Sequence, residues 1–416
     1  MVYFYKHKSK YLFSFKEYEE LHMISEGEAK TNSKEIYFLH EKDPLLSRRS
    51  FLVSSPSLLF INNEGVDLLL YDNKDYSSML PDWISEKIEN KLVIAVNTFY
   101  PKWEEVLKSE AIKSWTVNLV ALGDVGSTLL IGLRLLGGKS IKRIGIYDRN
   151  ESRLKRWEQE LNQIVTPSNP NEFPPVVPIS KDELFNCHVF VFCASKGVPP
   201  VGSQVEDVRM VQYQANSQVI RDYAIMARSK NFRGIFAVVS DPVDLLCKVA
   251  FLESNKDKNN NFDFMGLASN QIIGYGLGVM NARACYYAKM SEETAHYLEE
   301  GRVFGPHGQG LIVANSIHNY NESISQYLTD KTLKANLEMR KLGYKPYVAP
   351  SLSSGALSLI ATMNGDWFYG STYMGGAYMG SRCKLINGQL EVEQLDLPDR
   401  LFEKIQSTHE RLVSIL

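Results

Sequence analysis

The stretch Val117–Gly137, VNLVALGDVGSTLLIGLRLLG, decides the fold. It reads as an apolar strand, a glycine turn and an apolar helix ending at glycine. A dinucleotide-binding turn needs three small residues after its strand. One makes the tight turn, one lets the backbone approach a pyrophosphate, and one lets the helix pack closely on the strand. Here they are Ala121, Gly123 and Gly126, with Asp124 and Val125 between the last two. Alanine replaces the first glycine of the pattern and is acceptable there where its φ is negative. The helix that follows aims the positive end of its dipole at the site. Taken alone, the pattern also fits a helix packed tightly on a strand with no ligand.

Working outward from the turn strengthens the nucleotide reading. RIGIYD is a second strand, and its terminal acid, Asp148, stands where a carboxylate can accept hydrogen bonds from ribose hydroxyls. That carboxylate would repel a 2′-phosphate, which favours NAD; Arg149 beside it keeps NADP as the alternative. A polar-faced helix, NESRLKRWEQELNQI, and a proline-rich loop, TPSNPNEFPPVVP, come next. HVFVFCA is a third strand, VRMVQYQANSQVIRDYAIMARSK a long helix, and GIFAVVS a fourth strand. Near-continuous apolar strands alternating with helices argue a parallel sheet covered on both faces. The expected fold is α/β: a Rossmann-type doubly wound parallel sheet over residues 115–275, then an α+β substrate domain over 276–416. Residues 1–114 form a small N-terminal α/β extension of unassigned role. In it EIYFLHE, SFLVSS, SLLFINN and VDLLLYD read as strands, and PDWISEKIENK and YPKWEEVLKSEAIKSW as helices.

Composition narrows the class. The chain has 416 residues, 44% hydrophobic and 23% charged, with a formal net charge of −2. No global field draws it to nucleic acid or to an anionic membrane. No apolar run reaches the ~18 residues of a membrane span. The N-terminal MVYFYKHKSKYLFSF lacks the apolar core and cleavage site of a signal peptide. Five cysteines without a CxxC pair read as reduced thiols of a cytoplasmic protein. No zinc spacing, P-loop or serine elbow occurs, so no metal is expected.

Six further stretches, in order, resemble the lactate/malate dehydrogenase family: HVFVFCASKG, VRMVQYQAN, VVSDPVDLL, IIGYGLGVMNARACYY, VFGPHGQG and SLSSGALSL. The resemblance covers residues 115–416. It implies hydride transfer between a nicotinamide and a carbon bearing oxygen, with a base for the hydroxyl proton and a cation for the charged oxygen. By resemblance His307 is the acid/base and Arg283 the fork that grips a substrate carboxylate. Arg209 is the arginine that closes over the substrate, and Ser354 lies beside it. Ala194, Ser195 and Asn216 belong with the cofactor-contacting loop. A homo-oligomer and a small-molecule or modified-peptide substrate are also implied.

Two departures alter the chemistry. The aspartate that orients the histidine is replaced by Met280, and a thioether cannot hold an imidazolium. The asparagine of the Ser-Asn-Pro segment is replaced by Asp241. A carboxylate there opposes reduction of an ordinary ketone and suits a cationic imine or amine, or it becomes the missing partner of His307. The substrate is therefore expected to be non-standard. The competing reading is a catalytically silent binding or interaction protein.

Overall fold

The computed structural model describes residues 1–72, 74–108, 111–196 and 208–415; the side chains of 208–211 lie outside the described part. The N-terminal unit runs β1 (Tyr3–His7), β2 (Lys10–Ser14), β3 (His22–Ile24), α1 (Glu26–Asn32), β4 (Ile36–His40), β5 (Ser50–Leu52), α2 (Asp82–Glu89) and β6 (Val93–Asn97). Among the described residues these strands form one mixed sheet in the order β3-β1-β2-β4-β6-β5.

The expected nucleotide-binding part runs β7 (Trp115–Val120), α3 (Asp124–Leu136), β8 (Ile141–Tyr147), α4 (Glu151–Asn162), β9 (Val176–Pro178), β10 (Val189–Phe192), α5 (Val208–Ser229), β11 (Ile235–Val238), α6 (Val243–Ser254) and β12 (Ile272–Gly274). The remainder comprises α7 (Leu277–Ala288), α8 (Tyr297–Glu300), β13 (Arg302–Phe304), β14 (Ile312–Ala314), α9 (Glu322–Lys341), a wide helical turn over Pro350–Leu357, α10 (Ser358–Asn364), β15 (Phe368–Met374), β16 (Ala377–Ile386), β17 (Gln389–Val392) and α11 (Asp399–Ser414).

The large sheet has the order β17-β16-β15-β12-β11-β10-β7-β8-β9. From β9 to β12 all its pairings are parallel. Numbered along the chain, those six strands lie 3-2-1-4-5-6, the doubly wound Rossmann order. The strand order reverses between β7 and β10, so the ligand crevice of such a sheet opens above their carboxyl ends. The side chains show why the sheet is buried on both faces. Val189 and Val191 pack with Leu129, Leu133 and Leu359 on one side. Phe190 and Phe192 pack with Ile220, Tyr223 and Phe251 on the other. An antiparallel pairing of Gly274 with Ser371 carries the sheet into β15–β17.

The N-terminal unit is not held apart from the rest. Its Phe13, Phe38, Leu58 and Leu69 share one apolar cluster with Met379, Leu401, Ile405 and Leu412. Two stretches read as strands, SLLF and VDLL, are instead single turns of 3₁₀ helix at Pro56–Leu59 and Val66–Leu69. Each buries two adjacent leucines in the shared core, whereas a strand would turn neighbouring side chains to opposite faces. In YPKWEEVLKSEAIKSW, read as a helix, the described residues form a short 3₁₀ helix, Trp103–Lys108. Strands β1, β2 and β6 are elements that the sequence reading did not assign.

Candidate active site

The glycine turn sits at the carboxyl end of β7. Ala121 takes φ +72°, the left-handed region, where the expectation had required a negative value. Its N–H still donates to Tyr147 O at 2.9 Å. The turn thus keeps the shape that glycine favours and holds an alanine in it at a cost of about 1–2 kcal/mol. Gly126 is demanded by packing: a Cβ there would run into the Ala121 carbonyl and approach Cys193 Cβ to 3.4 Å. Gly123 is different. It caps α3 at φ −74°, an ordinary backbone value, and an added Cβ would meet no protein atom within 4 Å. The fold does not need glycine there; a ligand approaching the bare backbone would. Asp124 opens α3 and pairs with Lys345 Nζ at 2.9 Å, so a cation neutralises it at the mouth of the turn. Val125 is half-buried behind it.

Beside the turn lies a cleft of about 380 Å³, lined by Ala121, Asp148, Arg149, Arg153, Ala194 and Ser195 among others. The carboxylate of Asp148 is not simply presented to this cleft. Oδ2 accepts from Leu122 N–H at 2.8 Å and Oδ1 from Asn150 N–H at 2.9 Å. Arg153 Nη1 lies 3.3 Å from Oδ2. Asp148 therefore holds the glycine turn to the end of β8 as well as bordering the cleft.

Asn216, on α5, is fully buried. Its Oδ1 accepts from Lys196 N–H at 2.7 Å, and its Nδ2 donates to Asp241 O at 2.7 Å and to Ser195 Oγ at 3.3 Å. One amide thus ties the loop after β10 to the loop after β11. Ser240 adds a second tie by donating to Ala194 O at 2.8 Å.

His307 follows β13. Its ring packs on the backbone at the start of α7, so closely that a Cβ on Gly276 would stand 2.6 Å from Nδ1. Its backbone N–H donates to Asp244 Oδ2 at 3.0 Å, and Ser371 donates to Asp244 Oδ1 at 2.6 Å. Asp244 is buried, and desolvation pushes its carboxyl up to about 6 against the pull of those two donors. It anchors the loop through the main chain of His307. Asp241 approaches the ring itself: its Oδ1 lies 3.7 Å from His307 Nδ1. That is longer than a hydrogen bond but within the range of direct charge interaction.

Met280 is buried in an apolar cluster with Leu277, Ala284, Val303 and Val313. Arg283, one turn further along α7, is half-buried and sets Nη1 3.7 Å from the Met280 sulfur. Ser354 is placed differently from the expectation of a substrate contact. It is buried, accepts from Val279 N–H at 2.8 Å and donates to Gly276 O at 2.7 Å. Its hydroxyl is engaged in closing the first turn of α7. The side chain of Arg209 lies outside the described residues.

Asp148, Ala194 and Ser195 line one cleft beside the glycine turn; Asn216 links Ser195 to the Asp241 carbonyl, and Asp241 approaches His307, which packs on Gly276. Asp244 was visible in VVSDPVDLL but carried no assigned role. Ser371 and Lys345 had no spacing signal, because each meets its partner only across the fold. Among the described residues no group of three His, Cys, Asp or Glu side chains could hold a metal ion, and no helix is long and apolar enough to cross a membrane.

No family model matches the chain. It is 22% identical over 335 residues to an L-lactate dehydrogenase of Macrococcus caseolyticus, covering 74% of this chain and 98% of that protein. It is 22% identical over 251 residues to an L-lactate dehydrogenase of Corynebacterium jeikeium, covering 58% and 71%. Among solved structures it is similar to a lactate dehydrogenase from a deep-sea metagenome, with TM-score 0.57 at 17% identity over 72% of this chain and 97% of that one. It is also similar to the malate dehydrogenase of Archaeoglobus fulgidus in complex with NADH, with TM-score 0.55 at 18% identity over 71% and 97%.

Proposed function

We propose that this lactate/malate dehydrogenase-like chain is an NAD(H)-dependent oxidoreductase whose histidine has exchanged one carboxylate partner for another. The observation that carries the reading is the 3.7 Å approach of Asp241 Oδ1 to His307 Nδ1. A carboxylate facing Nδ1 orients the ring and leaves Nε2 as the nitrogen that exchanges a proton with a ligand. Met280 lacks the charge for that task; Asp241, from the next loop of the crevice, supplies it.

The residues present fit a nicotinamide dinucleotide. Gly123 leaves the backbone of the turn bare where a phosphate would approach, and the cleft beside it has room for an adenosine. Asp148 at its rim supports NAD; Arg149 and Arg153 on the same rim make NADP the alternative. When bound, the nicotinamide exchanges a hydride with the reacting carbon. His307 gives or takes the proton on the substrate oxygen, and Arg283 grips a substrate carboxylate in a fork; the part expected of Arg209 falls outside the described residues. The substrate class is a small acid with a carbonyl or hydroxyl beside its carboxylate. If the Asp241 carboxylate faces the substrate instead of His307 Nδ1, its charge disfavours plain lactate and malate. A cationic imine or amine carbon would turn the same charge to advantage.

The test combines a fluorescence titration with NADH and with NADPH and a turnover screen of 2-oxo acids, each with and without ammonium. NADH should bind, and Asp241→Asn should lower kcat by at least about 10-fold, worth ~1.4 kcal/mol, with NADH affinity unchanged. An ammonium requirement would select the imine branch. No binding of either cofactor, or full turnover in both His307→Ala and Asp241→Asn, would refute the proposal.

A further inference from the structure

A second cavity, of about 360 Å³, lies at the opposite edge of the large sheet, where its strands begin. The N-terminal unit closes it against β7, β11 and β12. Its charged wall consists of Arg49, Glu105, Lys108 and Arg233; Ile112, Trp115 and Ile273 line the apolar side. β11 carries Arg233 just before its first residue and Asp241 shortly after its last. The cavity therefore stands at least one four-residue strand from the proposed catalytic end, roughly 13 Å, and does not depend on the dehydrogenase reading.

Arg49 is the informative residue. Its side chain is 10% exposed. Its Nη2 reaches Gln271 Oε1 at 3.4 Å, but that oxygen already accepts from Ala268 N–H at 2.9 Å. Nη1 stands 4.0 Å from Glu105 Oε2, and no described group accepts from Nε. Glu105 divides its two oxygens: Oε1 accepts from Arg233 Nη2 at 2.6 Å, while the buried Oε2 that faces Arg49 makes no hydrogen bond among the described residues. One carboxylate thus serves two guanidinium groups. Burial, with Arg233 close by, pulls the Arg49 guanidinium down to about 10. Other buried arginines of this protein are well matched. Arg134 donates to the carbonyls of Leu161, Pro174 and Ile164, and Arg48 meets Glu64 at 2.7 Å. A buried guanidinium with surplus donors is costly unless an anion completes it, and guanidinium forks match carboxylate and phosphate oxygens. Asn270 Oδ1 in the same wall is a buried acceptor without a protein donor, which suits a hydroxyl on the ligand body.

We propose that this cavity is a binding site for a small hydroxylated organic oxyanion, its anionic head held between Arg49 and Arg233 and its body against Trp115 and Ile273.

The test uses the full chain without nicotinamide cofactor, by isothermal titration calorimetry and thermal unfolding. The probes are inorganic phosphate, glycerol 3-phosphate and glycerate, which separate a phosphate head from a carboxylate head and a bare ion from one with a hydroxylated body. At least one organic probe should bind one-to-one with Kd below about 1 mM and raise Tm. Arg49→Met keeps the stem and removes the charge. It should leave the unliganded protein at least as stable and weaken binding at least about 10-fold. Arg233→Gln, at the more exposed rim, should weaken binding without unfolding the chain and so keeps the test valid if Arg49→Met fails to fold. Absence of saturable binding by either organic probe up to about 10 mM, or binding unchanged by Arg233→Gln, would overturn the assignment.

Discussion

Gly123→Ala separates what the fold needs from what the ligand needs. The wild-type φ of −74° suits alanine, and the new methyl meets no protein atom within 4 Å. Replacing glycine restricts the unfolded chain, a gain of about 0.4–1 kcal/mol. Alanine is a poorer N-cap than glycine, a loss of up to about 1 kcal/mol. These terms nearly cancel, so the urea midpoint should shift by no more than the equivalent of about 0.5 kcal/mol. Binding should respond differently. A methyl between the turn and an incoming pyrophosphate removes at least one hydrogen bond to a charged group, worth about 1.5–3 kcal/mol. NADH affinity, read by fluorescence titration, should fall about 10- to 100-fold. Gly126→Ala is the contrasting variant. Its Cβ collides with the Ala121 carbonyl, so stability itself should drop by about 1–3 kcal/mol. If Gly123→Ala binds NADH as tightly as wild type at an unchanged urea midpoint, the pyrophosphate does not lie on this turn, and the cofactor reading loses its structural support.

Two more variants test the local physics. Ala121→Gly should relieve the strain at φ +72°, about 1–2 kcal/mol, less the extra unfolded-chain entropy of about 0.4–1 kcal/mol; urea unfolding should show a net gain of about 0.5–1 kcal/mol, and a loss would contradict the strain argument. Asp244 has a folded-state value near 6, above its ordinary 3.8, so its favourable contribution is complete below about pH 4 and is lost as pH rises through 6. At ~1.4 kcal/mol per pH unit this is about 3 kcal/mol. The stability of wild type minus that of Asp244→Asn should therefore fall by about that amount between pH 4 and pH 7; a flat or rising difference would show that Asp244 is ionised in the fold throughout.

The parallel sheet was legible because its signals are local. A run such as HVFVFC alternates Val and Phe onto two faces that are both buried, and no other residue is needed to read it. The N-terminal unit was less legible for the same reason. SLLF and VDLL contain leucines that suit a strand, but both turns bury them in a core built from distant parts of the chain, and the Val66–Leu69 turn packs on α11, which brings Leu401, Ile405 and Leu412 to that core. Ser354 looked like a substrate contact from its neighbours in sequence, yet the backbone of α7 claims its hydroxyl. Lys345 and Ser371 left no trace, since their partners Asp124 and Asp244 lie 221 and 127 residues away.

By itself the sequence determined the strand-turn-helix that begins at β7, the order of the strands and helices after it, and the apolar character of Met280. Each depends on residues adjacent in the chain or on the chemistry of one side chain. Only the tertiary structure decided that Asp241 comes to His307, that Ala121 is forced into a left-handed turn, and that Arg49 is buried with surplus donors against the foot of the sheet. Those outcomes depend on loops from different strands meeting in space, and on how many acceptors remain once every other donor nearby has taken its own.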